Sequence, residues 1–241
     1  MELTKYFKNF FQKTQSSGIL LLICVLISLM VANSVLGEGF QNILDSKIGP
    51  YSVSMWINDG LMAVFFLLVG LEIKRETIEG ELSSLKSASL PIFAAIGGML
   101  IPAGIYALFN NGTAYENGWG IPMATDIAFA LAIVSMLGRR VPPAIKIFLA
   151  ALAIVDDLGA ILVIAIFYTD QIHWTYLLLS GGIILLLIAL NYFKVTKHIF
   201  YLIPGAFLWY FMHHSGIHAT IAGVLLAFTI PTNESSTEIS P

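Results

Sequence analysis

The chain reads as an all-α polytopic membrane protein of about eight transmembrane helices, the fourth of them discontinuous. Three observations predict this. Of 241 residues, 57% are hydrophobic and only 11% are charged, where a soluble domain would carry roughly twice that charged share. Mean hydropathy is +0.83. The apolar residues also gather into runs long enough to cross a hydrocarbon core, separated by short polar connections. Net charge of −3 says little, because the placement of the charges matters more than their sum. The single Cys24 excludes an internal disulfide framework and a cysteine-rich metal site.

Taken in order, residues 1–16 suggest a short interfacial segment, with Tyr6, Phe7, Phe10 and Phe11 interleaved among Lys5, Lys8 and Lys13. The run at 17–36 is too long for a signal-peptide core and lacks a small-residue cleavage site, so it is expected to be a retained first span. Further spans are expected at 55–73, 88–109, 119–138, 144–168, 173–193, 198–213 and 216–230. The membrane domain thus covers 17–230, followed by a polar cytoplasmic tail at 231–241. With the N-terminus cytoplasmic, eleven of the twelve Lys and Arg residues fall on the inner side and only Lys47 falls outside. Trp56, Trp119, Trp174 and Trp209 then lie toward the outer interface, as an aromatic belt would.

The fourth segment opens WGIPMATDIAF. Gly120 and Pro122 at its outer end, with Asp126 near its middle, have the pattern of a broken helix. The fifth carries LAIVDDLGAI, and Asp156 and Asp157 are the only charged residues between Lys146 and Asp170. Residues 147–169, if helical, span about 35 Å. Each ionised aspartate at the centre of such a span costs on the order of 2.5–3.5 kcal/mol. Two in succession imply use.

Adjacent carboxylates in a low dielectric repel each other and titrate as a coupled unit. Residues one apart on a helix point about 100° apart, so both can border one cavity. Such a site has two low-energy states, protonated and empty or ionised with a hard cation bound. Alternating it between the two sides of a membrane gives cation/proton exchange. The competing reading of each residue is plainer. Intramembrane aspartates can simply hydrogen-bond a neighbouring helix. Asp59 in WINDG could be a solvated or capping residue. Glu72, Lys74, Arg75 and Glu76 could be a snorkelling, salt-bridged helix end. His214 and His218 have the spacing of two ligands on one helix face, but Gly216 lies between them at a predicted helix start, which argues against a metal site.

IPMATDIAFALAI, VPPAIKIFLAALAIVDDLGAI and SGIHATIAGVLLAFTIP, with FFLLVGLEIKRETIEGELSSL and PIFAAIGGMLIPAGIY, resemble the NhaA-type sodium/proton antiporters of bacteria across essentially the whole chain. The resemblance implies electrogenic exchange of Na+ or Li+ for H+ across the cytoplasmic (inner) membrane, serving pH and sodium homeostasis, with no cofactor and no nucleic-acid partner. It makes the protein a transporter rather than an enzyme. Asp157 would be the principal ion-binding carboxylate with Asp156 beside it, together holding Na+. Thr125 and Asp126 would help at the break in the fourth span. Glu72, Arg75 and Glu76 would belong to a pH-sensing cytoplasmic entrance, His218 to the pH response, and Asp59 to the supporting polar residues. The 37–54 loop would form the β-hairpin through which family members make homodimers.

Family members continue for about four more spans, which complete an inverted repeat. This chain is therefore expected to hold half of an inverted-repeat transporter fold and to be an incomplete antiporter, to which a second chain could supply the missing spans. Two other readings stand beside it. One is an inactive membrane fragment that associates with full-length protomers. The other is an intramembrane aspartyl protease, which needs facing carboxylates and whose GxGD sequence is absent here.

Overall fold

The computed structural model describes residues 14–125, 129, 130, 133, 134, 137, 140–168 and 172–231. Most of the expected interfacial segment at 1–16, nearly all of the tail at 231–241, and Asp126 lie outside the described residues. Those described are predominantly helical and form two compact units, one drawn from Met1–Ser54 and Ser84–Ala160, the other from Met55–Ser83 and Ile161–Pro241.

In the first unit, α1 covers Thr14–Ala32 and α2 covers Gly37–Asp45. The chain turns by 107° between them. Asn33 and Ser34 soften the end of α1 by bonding back to the carbonyls of Leu29 and Val31 at 2.8 and 2.9 Å. The first helix thus ends four residues before the expected boundary at 36. A two-residue antiparallel hairpin follows, β1 (Lys47–Ile48) with β2 (Tyr51–Ser52), in the register Lys47 to Ser52 and Ile48 to Tyr51. Gly49 in its turn has φ of +66°, a conformation that costs glycine nothing. So the loop expected at 37–54 contains both a helix and a hairpin.

Helix α4 (Leu85–Asn110) starts at Ser84, whose side chain accepts from the Ser87 amide, a standard N-cap. Pro91 and Pro102 sit within it, each removing one backbone donor. Ala88, Ala95, Met99 and Ala103 form its buried stripe. A tight 3₁₀ stretch at Glu116–Met123 then packs against α4, tied by the Tyr106 hydroxyl donating to the Tyr115 carbonyl at 2.8 Å. Ala124 leaves this stretch in extended conformation. Helix α5 covers Pro143–Phe167.

The second unit contains most of α3 (Val53–Glu79), which takes π-helical geometry over Trp56–Leu61. The widened turn re-aims Asn58, Asp59 and Gly60 relative to an α-helix. The expected boundary at 73 marks where charge begins, not where the helix ends, because Lys and Arg are good helix formers. It ends at Gly80. Helices α6 (Trp174–Tyr192), α7 (Ile199–Ser215) and α8 (Thr220–Thr229) complete the unit. Gly216, at φ of +87°, terminates α7 rather than starting the next helix, and α8 is only ten residues long. Small residues let α3 and α8 meet closely. A Cβ on Gly223 would lie 2.1 Å from the Ala63 carbonyl oxygen, and one on Gly70 would lie 2.7 Å from the Ala227 Cβ. This is the small-residue packing that membrane helices use in place of a hydrophobic drive. Leu187, Tyr201, Leu208, Met212, Ala222, Leu226 and Ile230 form the local core.

Among the described residues, Val53–Glu79, Lys86–Asn110, Ala144–Phe167 and Trp174–Tyr192 are long and apolar enough to cross a membrane. Their outward faces carry large apolar side chains such as Leu68, Leu100, Leu162 and Leu178, each more than half exposed. Water would penalise such surfaces and lipid would not.

Candidate functional site

Asp156 lies in the middle of α5, and only 2% of its surface is exposed. Thr125, one residue beyond the extended Ala124, donates its hydroxyl to Asp156 Oδ2 at 3.0 Å. The other oxygen, Oδ1, is buried with no hydrogen-bond partner among the described residues. Asp157, one residue on and about 100° around the helix, is half-buried. Gly159 allows close approach in the next turn, where a Cβ would come within 2.4 Å of Met99 Sδ on α4.

A buried carboxylate oxygen without a donor is expensive unless the group is neutral or holds a cation. Asp156 and Asp157, with the Thr125 hydroxyl, present hard oxygens suited to a small cation or to protons. Of the four residues expected at the ion site, the structure brings Thr125 and Asp156 together and places Asp157 beside them. Asp126 lies outside the described residues.

The remaining residues of interest fall in the second unit, at two ends of α8. Toward the C-terminal end of α3, Arg75 Nη2 binds Glu72 Oε1 at 2.5 Å and lies 3.6 Å from Glu76 Oε1, an arrangement that an ordinary salt-bridged helix end also has. Lys74 turns away from it. Its Nζ donates to the carbonyls of Phe228 at 3.0 Å and Ile230 at 2.5 Å. Asn191 of α6 donates to the Thr229 carbonyl at 2.6 Å. Together they satisfy carbonyls that the end of α8 would otherwise leave orphaned. His218 precedes the other end of α8, with Nε2 3.0 Å from the Tyr168 carbonyl. About 15 Å of helix separates it from the Lys74 contacts, so the structure does not join His218 to the acidic cluster.

Asp59 is held on two sides by α7. Its carbonyl accepts from Trp209 Nε1 at 2.8 Å, and its Oδ2 lies 3.3 Å from His213 Nδ1. Trp209 stacks between Trp56 at 5.9 Å and His213 at 6.1 Å. Nothing in the sequence marks His213, Trp209, Lys74 and Asn191 as partners in these contacts. Their contacts join residues 38 to 156 positions apart, and no local spacing signals them.

Several membrane-length apolar helices, one of them carrying a carboxylate pair, have the make-up of a polytopic membrane protein. Its family is shown by comparison. Residues 8–241 match the family model described as Na+/H+ antiporter 1, and the chain belongs to that family. The Na(+)/H(+) antiporter NhaA 2 of Flavobacterium johnsoniae is 61% identical over 239 residues, covering 95% of this chain and 59% of the relative. The Na(+)/H(+) antiporter NhaA of Flavobacterium psychrophilum is 55% identical, covering 96% and 60%. That of Dechloromonas aromatica is 53% identical, covering 95% and 59%. The chain thus spans about three-fifths of the length of these relatives.

Proposed function

We propose that this chain carries the ion-binding carboxylates of an electrogenic exchanger of Na+ or Li+ for H+ in the bacterial cytoplasmic membrane. The observation that carries the reading is Oδ1 of Asp156, buried with no hydrogen-bond partner among the described residues and set beside the Thr125 hydroxyl and Asp157 on a membrane-length helix. A carboxylate in that position is stable either protonated or with a cation against it, and not bare. Cation and proton therefore exclude each other, and alternating access converts exclusion into exchange. Asp157 is the principal cation ligand, Asp156 and Thr125 complete the near side, and Asp126 adds a further oxygen at a break in the fourth of eight spans.

In this reading the N-terminus is cytoplasmic, and the Glu72–Arg75–Glu76 cluster lies at the inner mouth, where with His218 it contributes the pH response. The 37–54 loop pairs two copies through its β1–β2 hairpin. Exchange is carried out with further spans supplied by a longer form or a second chain. A fragment that only associates with full-length protomers is the alternative, and co-purification with a tagged full-length relative tests it.

The experiment is Na+-induced proton release in everted membrane vesicles from an antiporter-deficient bacterial host, comparing the parent chain with Asp157→Asn. Release that vanishes in the variant supports exchange at this site. No release from correctly inserted parent protein removes independent exchange, and repeating the measurement with a full-length partner co-expressed decides whether the site works in a complete assembly.

A further inference from the structure

Helix α2 has an apolar face that the chain itself leaves uncovered. At 100° per residue, Leu36 at its N-cap, Phe40, Ile43 and Leu44 fall within about one-third of the circumference. Glu38, Gln41, Asn42 and Asp45 occupy the opposite side, where Gln41 Nε2 donates to Asp45 Oδ1 at 3.2 Å. No residue of α2 is buried, and Leu36, Phe40 and Ile43 are 65%, 42% and 61% exposed. This is the sequence of an amphipathic helix.

The placement of α2 says what covers that face. It follows α1 at 107°, so when α1 crosses a bilayer, α2 runs nearly parallel to the membrane plane. At roughly 13 Å long it is far too short to cross. Lying in that plane at the end of α1, an amphipathic helix turns its apolar face to the hydrocarbon and its acidic face to water.

We propose that α2 is an interfacial anchor whose Leu36–Phe40–Ile43–Leu44 face inserts at the headgroup–acyl boundary of the bilayer. Interfacial helices that select anionic lipid carry Lys and Arg on the polar face. Helix α2 has Glu38 and Asp45 there and no basic residue, and the nearest cation is Lys47 in β1. The lipid it fits is zwitterionic, and apolar insertion rather than charge holds it. By fixing the plane of the segment between α1 and the β1–β2 hairpin, the anchor sets the height at which that hairpin stands above the bilayer.

The inference rests on the membrane reading of α1 but not on exchange, so its test uses no transport readout. In a Cys24→Ser background, Phe40→Cys, Gln41→Cys, Ile43→Cys and Asp45→Cys are each spin-labelled in the full chain and reconstituted into phosphatidylcholine vesicles. Collision with oxygen is compared with collision with a water-soluble nickel chelate. The expected result is oxygen dominance at 40 and 43 and nickel dominance at 41 and 45, with no deepening when phosphatidylglycerol is added. Equal nickel access at all four positions overturns the proposal. So does shielding of 40 and 43 from both reagents that weakens on dilution in lipid, which would mean a second copy covers the face. Phe40→Trp and Gln41→Trp, read as quenching by brominated lipid in excess of the parent, decide the same question without a label. Stronger quenching at 40 than at 41 is expected, and equal quenching overturns the inference.

Discussion

The C-terminal end of α8 and the middle of α5 treat polar groups in opposite ways. At α8, the carbonyls of Phe228, Thr229 and Ile230 each have a donor, brought from 38 to 156 residues away by Asn191 and Lys74. At α5, Asp156 is more deeply buried than these groups, yet one of its oxygens has no partner among the described residues. An apolar surround penalises any polar group left unpaired. Where the penalty is cancelled within the chain, the polar groups are structural. Where it is left open, the group is held in reserve for something that comes and goes.

That contrast can be broken by substitution, with stability as the readout. The largest loss is expected at the contact that brings α3 and α8 together. Gly223→Ala drives a Cβ into the backbone of Ala63 and Leu67, which cannot yield as a flexible side chain would. It should cost about 3 kcal/mol or more, read as a drop in detergent-solubilised melting temperature. Next comes Lys74→Met, which strips the donor from two carbonyls and should cost about 1–3 kcal/mol. Lys74→Arg should recover much of that, because it keeps the charge at the helix end. Asn191→Leu removes one bond and should cost about 1 kcal/mol. Smallest is Asp156→Asn. It removes a chargeable group from the apolar surround while keeping an acceptor for Thr125, so the melting temperature should not fall. A loss at Asp156 as large as that at Lys74 would erase the distinction between the two regions. A neutral Lys74→Met would erase it from the other side.

Much of the α5 site is legible in the sequence, because a charge inside an apolar run is a local anomaly. Asp156 and Asp157 declare themselves within one helix, and the spans expected at 88–109, 144–168 and 173–193 correspond to helices α4, α5 and α6 within a few residues. What the sequence does not reveal is pairing at a distance. Lys74 reads as a snorkelling helix end, since a lysine beside Glu72, Arg75 and Glu76 has a local explanation, and its true partners lie on α8. Asp59 reads as solvated for the same reason, although α7 holds it through Trp209 and His213. Helix α2 is hidden by averaging. Its polar and apolar residues cancel in mean hydropathy, and only their angular order separates them. Helix α8 starts four residues after the expected 216, because Gly216 signals a break without saying which side of it is helix. Its positive φ answers that.

The central claim is that cation and proton compete for the Asp156–Asp157 pair, and it is tested most directly without transport. Purified chain in weakly buffered detergent solution, with a pH-sensitive dye, is mixed with Na+, Li+ or K+, and the protons released per protein are counted. The account predicts release by Na+ and Li+ but not by K+, abolished in Asp156→Asn/Asp157→Asn while the melting temperature is retained. Folded parent protein that releases no protons, or release that persists in the double variant, would contradict it.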